Sequence, residues 1–276
     1  TRADWIHMME NKDNSAIYRI TIAALLGLMV GGVVFFFLGR SSEPTVVAPE
    51  VVAAPSGESS GGWSGPTETV ILESPDATAP LPDGVNPDTG VDVFTSYGYN
   101  FNELQDGRPT VVLWEDFQCP GCANYEVSPA KASLIKWAND GEINLFYRPI
   151  GFLDFSTRGD SSQRATSAWG CAIDAGVGDK YRSLVFANQP REEGVGFPNE
   201  GLLQGGELAG LQGDAYTEFV ECVESGKYLA WSQSSTSTTP QEVGGTPTVM
   251  IDGAVISPSE MGDVQVLRDA VDAAKK

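Results

Sequence analysis

Cys119-Pro120-Gly121-Cys122 is the part of the chain whose residue types and spacing most directly suggest chemistry. Two cysteines separated by two residues can exchange electrons as a dithiol and a disulfide, because the second sulfur can reach back to resolve a bond formed at the first. A helix starting at Cys119 would aim free backbone N–H groups and its positive dipole end at the first sulfur, favouring the thiolate that does the attacking. Pro120 fits the first helical position, where no N–H is needed. The same spacing also suits half a zinc site or a structural bridge. Zinc would need two more ligands, and the remaining candidates, Cys171, Cys222 and the single histidine His7, are far apart in sequence. The redox dithiol is the reading adopted, with neither a metal nor an organic cofactor expected.

The elements that must hold these cysteines are legible around them. Val111–Phe117, rich in β-branched and aromatic residues and bounded by Arg108-Pro109, reads as a buried strand ending at the motif. Residues 120–139 read as a helix kinked at Pro129, and Glu142–Ile150 as a second strand. Residues 158–230 switch to helical spacing, with helices expected near 160–176, 180–188, 200–211 and 213–226. Thr248–Ile251 and Ala254–Ser257 flank Asp252-Gly253, a two-residue hairpin signal. Glu260–Lys276 closes as an amphipathic helix with Met261, Val264, Leu267 and Val271 on one face. The order strand–helix–strand, helical block, hairpin, helix predicts an α/β domain with a mixed sheet and a helical insertion.

Upstream the composition changes twice. Residues 1–15 are polar with a few large apolar residues and form the expected cytoplasmic segment. Ile20–Gly39 is twenty residues without a charge, enough to span a hydrocarbon core of about 30 Å. No small-residue cleavage site follows it, so residues 16–40 are expected to be a retained membrane anchor. Lys12 and Arg19 precede the span, and after Arg40 no basic residue appears until Arg108, which places the N-terminus in the cytoplasm and the rest outside. Ala23, Gly27 and Gly31 recur every fourth residue, a spacing that lets another helix approach, though glycine is common in membrane helices. Residues 41–90, rich in Pro, Ser, Gly, Ala, Glu and Asp, read as a flexible acidic linker. Acidic residues outnumber basic ones 37 to 17, for a net charge of −20. Such a surface repels phosphate backbones and excludes nucleic-acid binding as a function.

With these residues in view, the chain from about 90 to 276 resembles the thioredoxin superfamily, and within it the DsbA-like branch. Three features carry the resemblance: Trp114-Glu115-Asp116-Phe117-Gln118-Cys119-Pro120-Gly121-Cys122 ending the first core strand, Gly245-Thr246-Pro247-Thr248 just before the hairpin, and the long helical separation of Cys119 from Pro247. The resemblance implies a thioredoxin-like domain over 91–276 with a helical insertion at about 155–230. It also implies that Cys119 is the exposed attacking thiol, Cys122 the buried resolving one, and Pro247 a cis proline freeing Thr246 to pair with an extended substrate.

Two positions depart from the family pattern. Many relatives carry an acid six residues before the first cysteine, where this chain has Leu113; Glu115 and Asp116 lie nearby without an assigned role. Gly121 stands where strongly oxidising members have histidine, so the expected potential falls between about −270 mV for thioredoxin and about −120 mV for DsbA. In an oxidising compartment Cys171 and Cys222, both in the helical insertion, are expected to form a structural disulfide, with a relay dithiol serving Cys119 and Cys122 as the other reading.

The function expected is that of a membrane-anchored extracytoplasmic thiol–disulfide oxidoreductase. Its partners would be cysteines of exported proteins and a membrane redox partner or membrane protein complex, with the lipid bilayer holding the anchor. Two alternatives stand beside it: a thiol reductase for cytochrome c maturation, and an accessory subunit of a membrane complex, respiratory for example, that uses the thioredoxin fold for docking.

Overall fold

The computed structural model describes residue 76 and residues 78–275, apart from 91, 158 and 192–194. The expected membrane helix over 16–40, its Ala23, Gly27 and Gly31 stripe, and the linker up to residue 75 lie outside the described residues.

The first core strand forms where the β-branched run predicts it, as β2 (Thr110–Glu115). It is preceded by a short β1 (Tyr99–Asn100) and followed by β3 (Asn144–Pro149), β4 (Thr248–Ile251) and β5 (Ala254–Val255). The sheet order is β1-β3-β2-β4-β5. β2 runs parallel to β3 and antiparallel to β4, with Val112 opposite both Phe146 and Met250. This is the mixed sheet of a thioredoxin-like α/β fold. With neighbours on both edges and helices or loops on both faces, β2 must be apolar at every position, and Val111 to Trp114 are all buried. Alternation assigns its side chains to two cores. Val111 and Leu113 join the large helical core, while Val112 and Trp114 pack with Phe146, Ile150, Val243 and Met250 on the other face.

The helix expected over 120–139 is two helices, α1 (Pro120–Glu126) and α2 (Pro129–Asn139). Pro129 breaks the chain because its nitrogen has no hydrogen to donate and its ring crowds the preceding turn. Ser128 then caps α2, its side chain accepting the Lys131 N–H at 3.1 Å.

Among the described residues the helical insertion holds six helices: α3 (Phe152–Thr157), α4 (Ser161–Asp174), α5 (Gly178–Ala187), α6 (Asn199–Ala209), α7 (Gly213–Ser225) and α8 (Leu229–Ser237). It therefore runs from 152 to 237, longer at both ends than the expected 155–230. Cys171 on α4 and Cys222 on α7 are bonded, with their Cα atoms 5.8 Å apart. The chain closes with the hairpin and α9 (Val264–Ala274), capped by Asp263, whose carboxylate accepts the Gln265 N–H at 2.8 Å. At the hairpin Asp252 and Gly253 have φ of 45° and 82°, the left-handed pair this tight turn requires and glycine adopts without strain.

Packed structure begins upstream of the expected boundary near 91. Val85 bridges to Tyr99, the Asp83 N–H donates to Asp174 at 3.0 Å, and Ala79 and Val85 are buried. The later part of the segment read as linker is thus part of the domain.

Candidate active site

The end of β2 delivers Cys119 to the start of α1, with extended backbone angles that make it the helix's N-cap residue. The turn is tied by the Cys119 N–H donating to the Asp116 carbonyl at 3.0 Å and the Cys122 N–H donating to the Cys119 carbonyl at 3.0 Å. Cys119 is half-buried, Cys122 is fully buried in the large core, and both are free thiols. The two sulfurs differ in acidity accordingly. The hydrogen bond from the Cys122 thiol is the chief cause that draws Cys119 down to about 6, helped by Thr246 and by the backbone N–H groups of Cys122 and Gly121, and opposed by burial. Burial, with the neighbouring Cys119, pushes Cys122 well above an ordinary thiol. One sulfur is a ready nucleophile and leaving group; the other is held as a thiol.

The loop across from the motif completes the site. Thr246–Pro247 is a cis peptide bond, and the Thr246 carbonyl oxygen lies 3.2 Å from Cys119 Sγ. Thr248 starts β4 beside Trp114 of β2, so sheet pairing holds this loop against the cysteines. Gly121 is needed for that close approach. A Cβ there would stand 3.1 Å from Pro247 Cδ and 3.5 Å from Cys119 Sγ. Pro120 occupies the exposed first position of α1. The structure therefore brings Cys119, Pro120, Gly121, Cys122, Thr246 and Pro247 into one site. Cys171 and Cys222 are bonded to each other in the insertion, which removes them as ligands completing a zinc centre at Cys119 and Cys122.

Beneath the motif lie charged groups that sequence reasoning placed only in part. Glu115 is buried and forms a two-pronged ion pair with Arg182 of α5, whose Nε lies 3.0 Å from Oε2. Arg182 also holds Glu126 at 2.8 Å, and Lys131 holds Glu126 at 3.1 Å and stands 3.9 Å from Glu115. The Lys131 ammonium and the Arg182 guanidinium both lie over the Tyr147 ring, 4.0 and 4.2 Å from its centroid. Burial works to raise Glu126, but Arg182 and Lys131 outweigh it and hold the carboxylate at about 2. Asp116, also fully buried, bonds to Gln118, Leu153 and Ser162, and burial pushes it up to about 7. Gln118, Glu126, Lys131, Asp154, Ser162 and Arg182 escape a sequence reading. Their partners are distant in the chain, as with the 67 residues between Glu115 and Arg182, and no short motif joins them.

Comparison with known proteins agrees with this geometry. Residues 105–272 match the family model described as Thioredoxin. Among solved structures, BdbD from Bacillus subtilis superposes with a TM-score of 0.54 at 15% identity, covering 72% of this chain and 98% of that one. MdbA, a thiol–disulfide oxidoreductase from Actinomyces oris, gives 0.52 at 18% identity, covering 65% and 86%. MdbA from Corynebacterium diphtheriae gives 0.52 at 19%, covering 63% and 89%. A search of curated proteins returns no match. The family match spans more than half of the chain and takes in both the cysteine motif and the cis-proline loop, so this chain belongs to the thioredoxin family.

Proposed function

We propose that this chain is a thiol–disulfide oxidoreductase that oxidises cysteines of exported proteins, held at the outer side of a membrane by residues 16–40. The observation that carries the reading is the pairing of a half-exposed, acidified Cys119 with a buried Cys122 directly beside the cis Thr246–Pro247 bond. A substrate thiolate attacks Cys119 Sγ of the closed pair. Cys122 leaves and takes up a proton, and a mixed disulfide forms. A second substrate thiolate then attacks the substrate sulfur of that disulfide and releases Cys119 as a thiolate. A thiol with a pKa of about 6 is a good leaving group, which favours this oxidising direction over reduction. A membrane redox partner or membrane complex would reclose the pair.

Two further features support the reading. The matching folds include proteins described as thiol–disulfide oxidoreductases. The twenty uncharged residues Ile20–Gly39, with basic residues ahead of them, support the anchor and its orientation. The test equilibrates the purified full chain in graded glutathione buffers and counts alkylated thiols at Cys119 and Cys122 by mass. A potential above about −200 mV is expected for an oxidant; one near or below about −270 mV would overturn this direction in favour of a reductase or an inert bridge. Membrane pellets that release the chain in alkaline carbonate without detergent would overturn the anchor.

A further inference from the structure

The glycines around the cysteines are there for different reasons. Glycine loses more conformational freedom on folding than other residues, so a fold has cause to use it where φ is left-handed or where a Cβ has no room. Gly121 is of the second kind, since its Cβ would stand 3.1 Å from Pro247 Cδ and 3.8 Å from the Thr246 carbonyl oxygen. Gly244 and Gly245, just ahead of Thr246, are of neither kind. Neither has a left-handed φ, and no described atom comes within 4 Å of a Cβ built on either. Among the described glycines only Gly262 shares both properties, and it lies beside Asp263, the N-cap of α9, rather than on the cis-proline loop.

The pair is not a slack connection. On one side Val243 is buried in the second core with Trp114, and its N–H donates to the Pro240 carbonyl at 3.0 Å. On the other side Thr248 starts β4, and its hydroxyl donates to the Gly245 carbonyl at 2.8 Å. The next carbonyl, that of Thr246, is the one 3.2 Å from Cys119 Sγ. The loop is therefore held at both ends and bare in the middle, and the bare stretch adjoins the residue that touches the reacting sulfur. The N–H groups of Gly245 and Thr246 have no acceptor among the described residues, which leaves them available to a substrate backbone.

Building on the oxidoreductase reading above, we propose that Gly244 and Gly245 set the substrate class of Cys119: their missing side chains leave a gap through which a polypeptide with large residues beside its cysteine reaches the sulfur. A polypeptide brings its own backbone and the side chains that flank its cysteine to the loop, and a side chain at 244 or 245 would stand in their way. A small thiol brings neither and needs no gap. The sulfur chemistry is the same for both, so the loop discriminates only by what surrounds the substrate cysteine. Glycine at these two positions lowers the stability of the loop without relieving any strain or clash, and the open approach is what it provides in return.

The test follows single-turnover reduction of the Cys119–Cys122 disulfide in the full chain, purified in mild detergent, by alkylation and mass. The reductants are dithiothreitol and two synthetic dithiol peptides, one with its cysteines flanked by glycine and the other by tryptophan. Each closes its own disulfide as it delivers two electrons to the protein pair, so no further oxidant is needed. The wild type is expected to react with the two peptides at similar rates. In the double variant Gly244→Val, Gly245→Val the tryptophan peptide is expected to slow by about tenfold relative to dithiothreitol, the scale on which small changes of shape in a binding site discriminate. The glycine peptide should slow less. Gly262→Val, equally unconstrained but off the loop, is expected to keep the wild-type ratios. The Cys119 thiolate midpoint of about 6 reports whether the loop keeps its place. If the valines move it, the double variant Gly244→Ala, Gly245→Ala is read instead, with a smaller loss in the same order. Equal slowing with all three reductants, or unchanged ratios, would overturn the proposal alone. A wild-type pair that neither peptide reduces would overturn the oxidoreductase reading itself, and the proposal with it.

Discussion

The domain contains two cysteine pairs built from the same atoms in opposite surroundings. Cys119 and Cys122 lie at the first turn of α1, where backbone N–H groups are still free, with a cis-proline loop against the outer sulfur. Cys171 lies in the interior of α4, its carbonyl already accepting the Ala175 N–H, and its partner Cys222 belongs to another helix. The first pair has one sulfur acidified and half-exposed; the second has Cys171 at 2% exposure and is closed. Reactivity here follows from place in the helix and from access rather than from cysteine itself. Charge follows the same rule. Arg182 is buried with two carboxylates and its affinity for its proton rises, whereas Arg148, equally buried and held by carbonyl and hydroxyl oxygens of Val93, Ser235 and Thr238, falls to about 9 through burial.

The largest test of the difference is substitution of the sulfurs. Cys119→Ser is expected to abolish disulfide transfer to a reduced model substrate, while Cys122→Ser leaves the attacking sulfur, which on mixing with a disulfide-containing model peptide displaces one of its thiols and accumulates a mixed disulfide visible by mass, with no second sulfur to resolve it. Turnover that persisted in Cys119→Ser would end the distinction between the pairs. A pH titration sharpens it. The folded pKa of Cys119 is depressed from its ordinary value to about 6. Thiolate stabilisation of the reduced form is therefore present at high pH and is lost as pH falls through about 6. Ultraviolet thiolate absorbance should show that midpoint in the wild type and lose it in Cys119→Ser. Relative to the disulfide form, the reduced form should become less stable in denaturant as pH drops from 7 to 5.

Breaking the second pair should affect stability and leave the chemistry unchanged. Its sulfurs are separated by 51 residues, and closing a loop of that length is worth about 4 kcal/mol on a chain-entropy model. The double variant Cys171→Ala, Cys222→Ala is expected to unfold at lower denaturant while the Cys119 midpoint stays near 6. A shift of that midpoint, or a fall in potential at Cys119–Cys122, would favour a relay role for the bridge.

What could be read from the sequence follows the same physical lines. β2, the Asp252-Gly253 turn and α9 announce themselves because a β-branched run, a left-handed dipeptide and an apolar stripe are local signals. The placement of Cys119, Cys122, Thr246 and Pro247 in one site came through resemblance, since nothing local joins a proline to a motif so far upstream. α8 lies beyond the expected helices because, after Trp231, its buried residues are Ser232, Ser234, Ser235 and Thr236. The hydroxyls of Ser234, Ser235 and Thr236 are satisfied by the Asp76 N–H, by Arg148 and the Pro149 carbonyl, and by the Ser232 carbonyl, so most of the buried face has no apolar period to detect. Residues 78–90 have a linker's composition, yet they pack on the insertion. Pro82 lies so close to Gly170 that a Cβ there would stand 2.9 Å from its ring. The ion pairs of Glu115 and the network of Asp116 are long-range and became visible only in three dimensions.

The smallest expected effect tests the fine fit of the reactive pair. In Gly121→Ala the new methyl would approach Pro247 Cδ to 3.1 Å, tighter than ordinary van der Waals contact, and Cys119 Sγ to 3.5 Å. The cis-proline loop must give by a few tenths of an ångström, and since Gly121 is exposed the cost in stability should be below about 1 kcal/mol. The movement displaces the Thr246 carbonyl relative to Cys119 Sγ, so substrate oxidation should slow by a few fold while the fold is retained. The comparison is with an alanine at Gly170, where the nearest atoms are Tyr228 at 2.6 Å and Pro82 at 2.9 Å. That substitution should cost stability and spare the thiol chemistry, measured as denaturant midpoint against oxidation rate. If the two variants exchanged these signatures, the separation of a reactive pair from a scaffolding pair would fail at its finest grain.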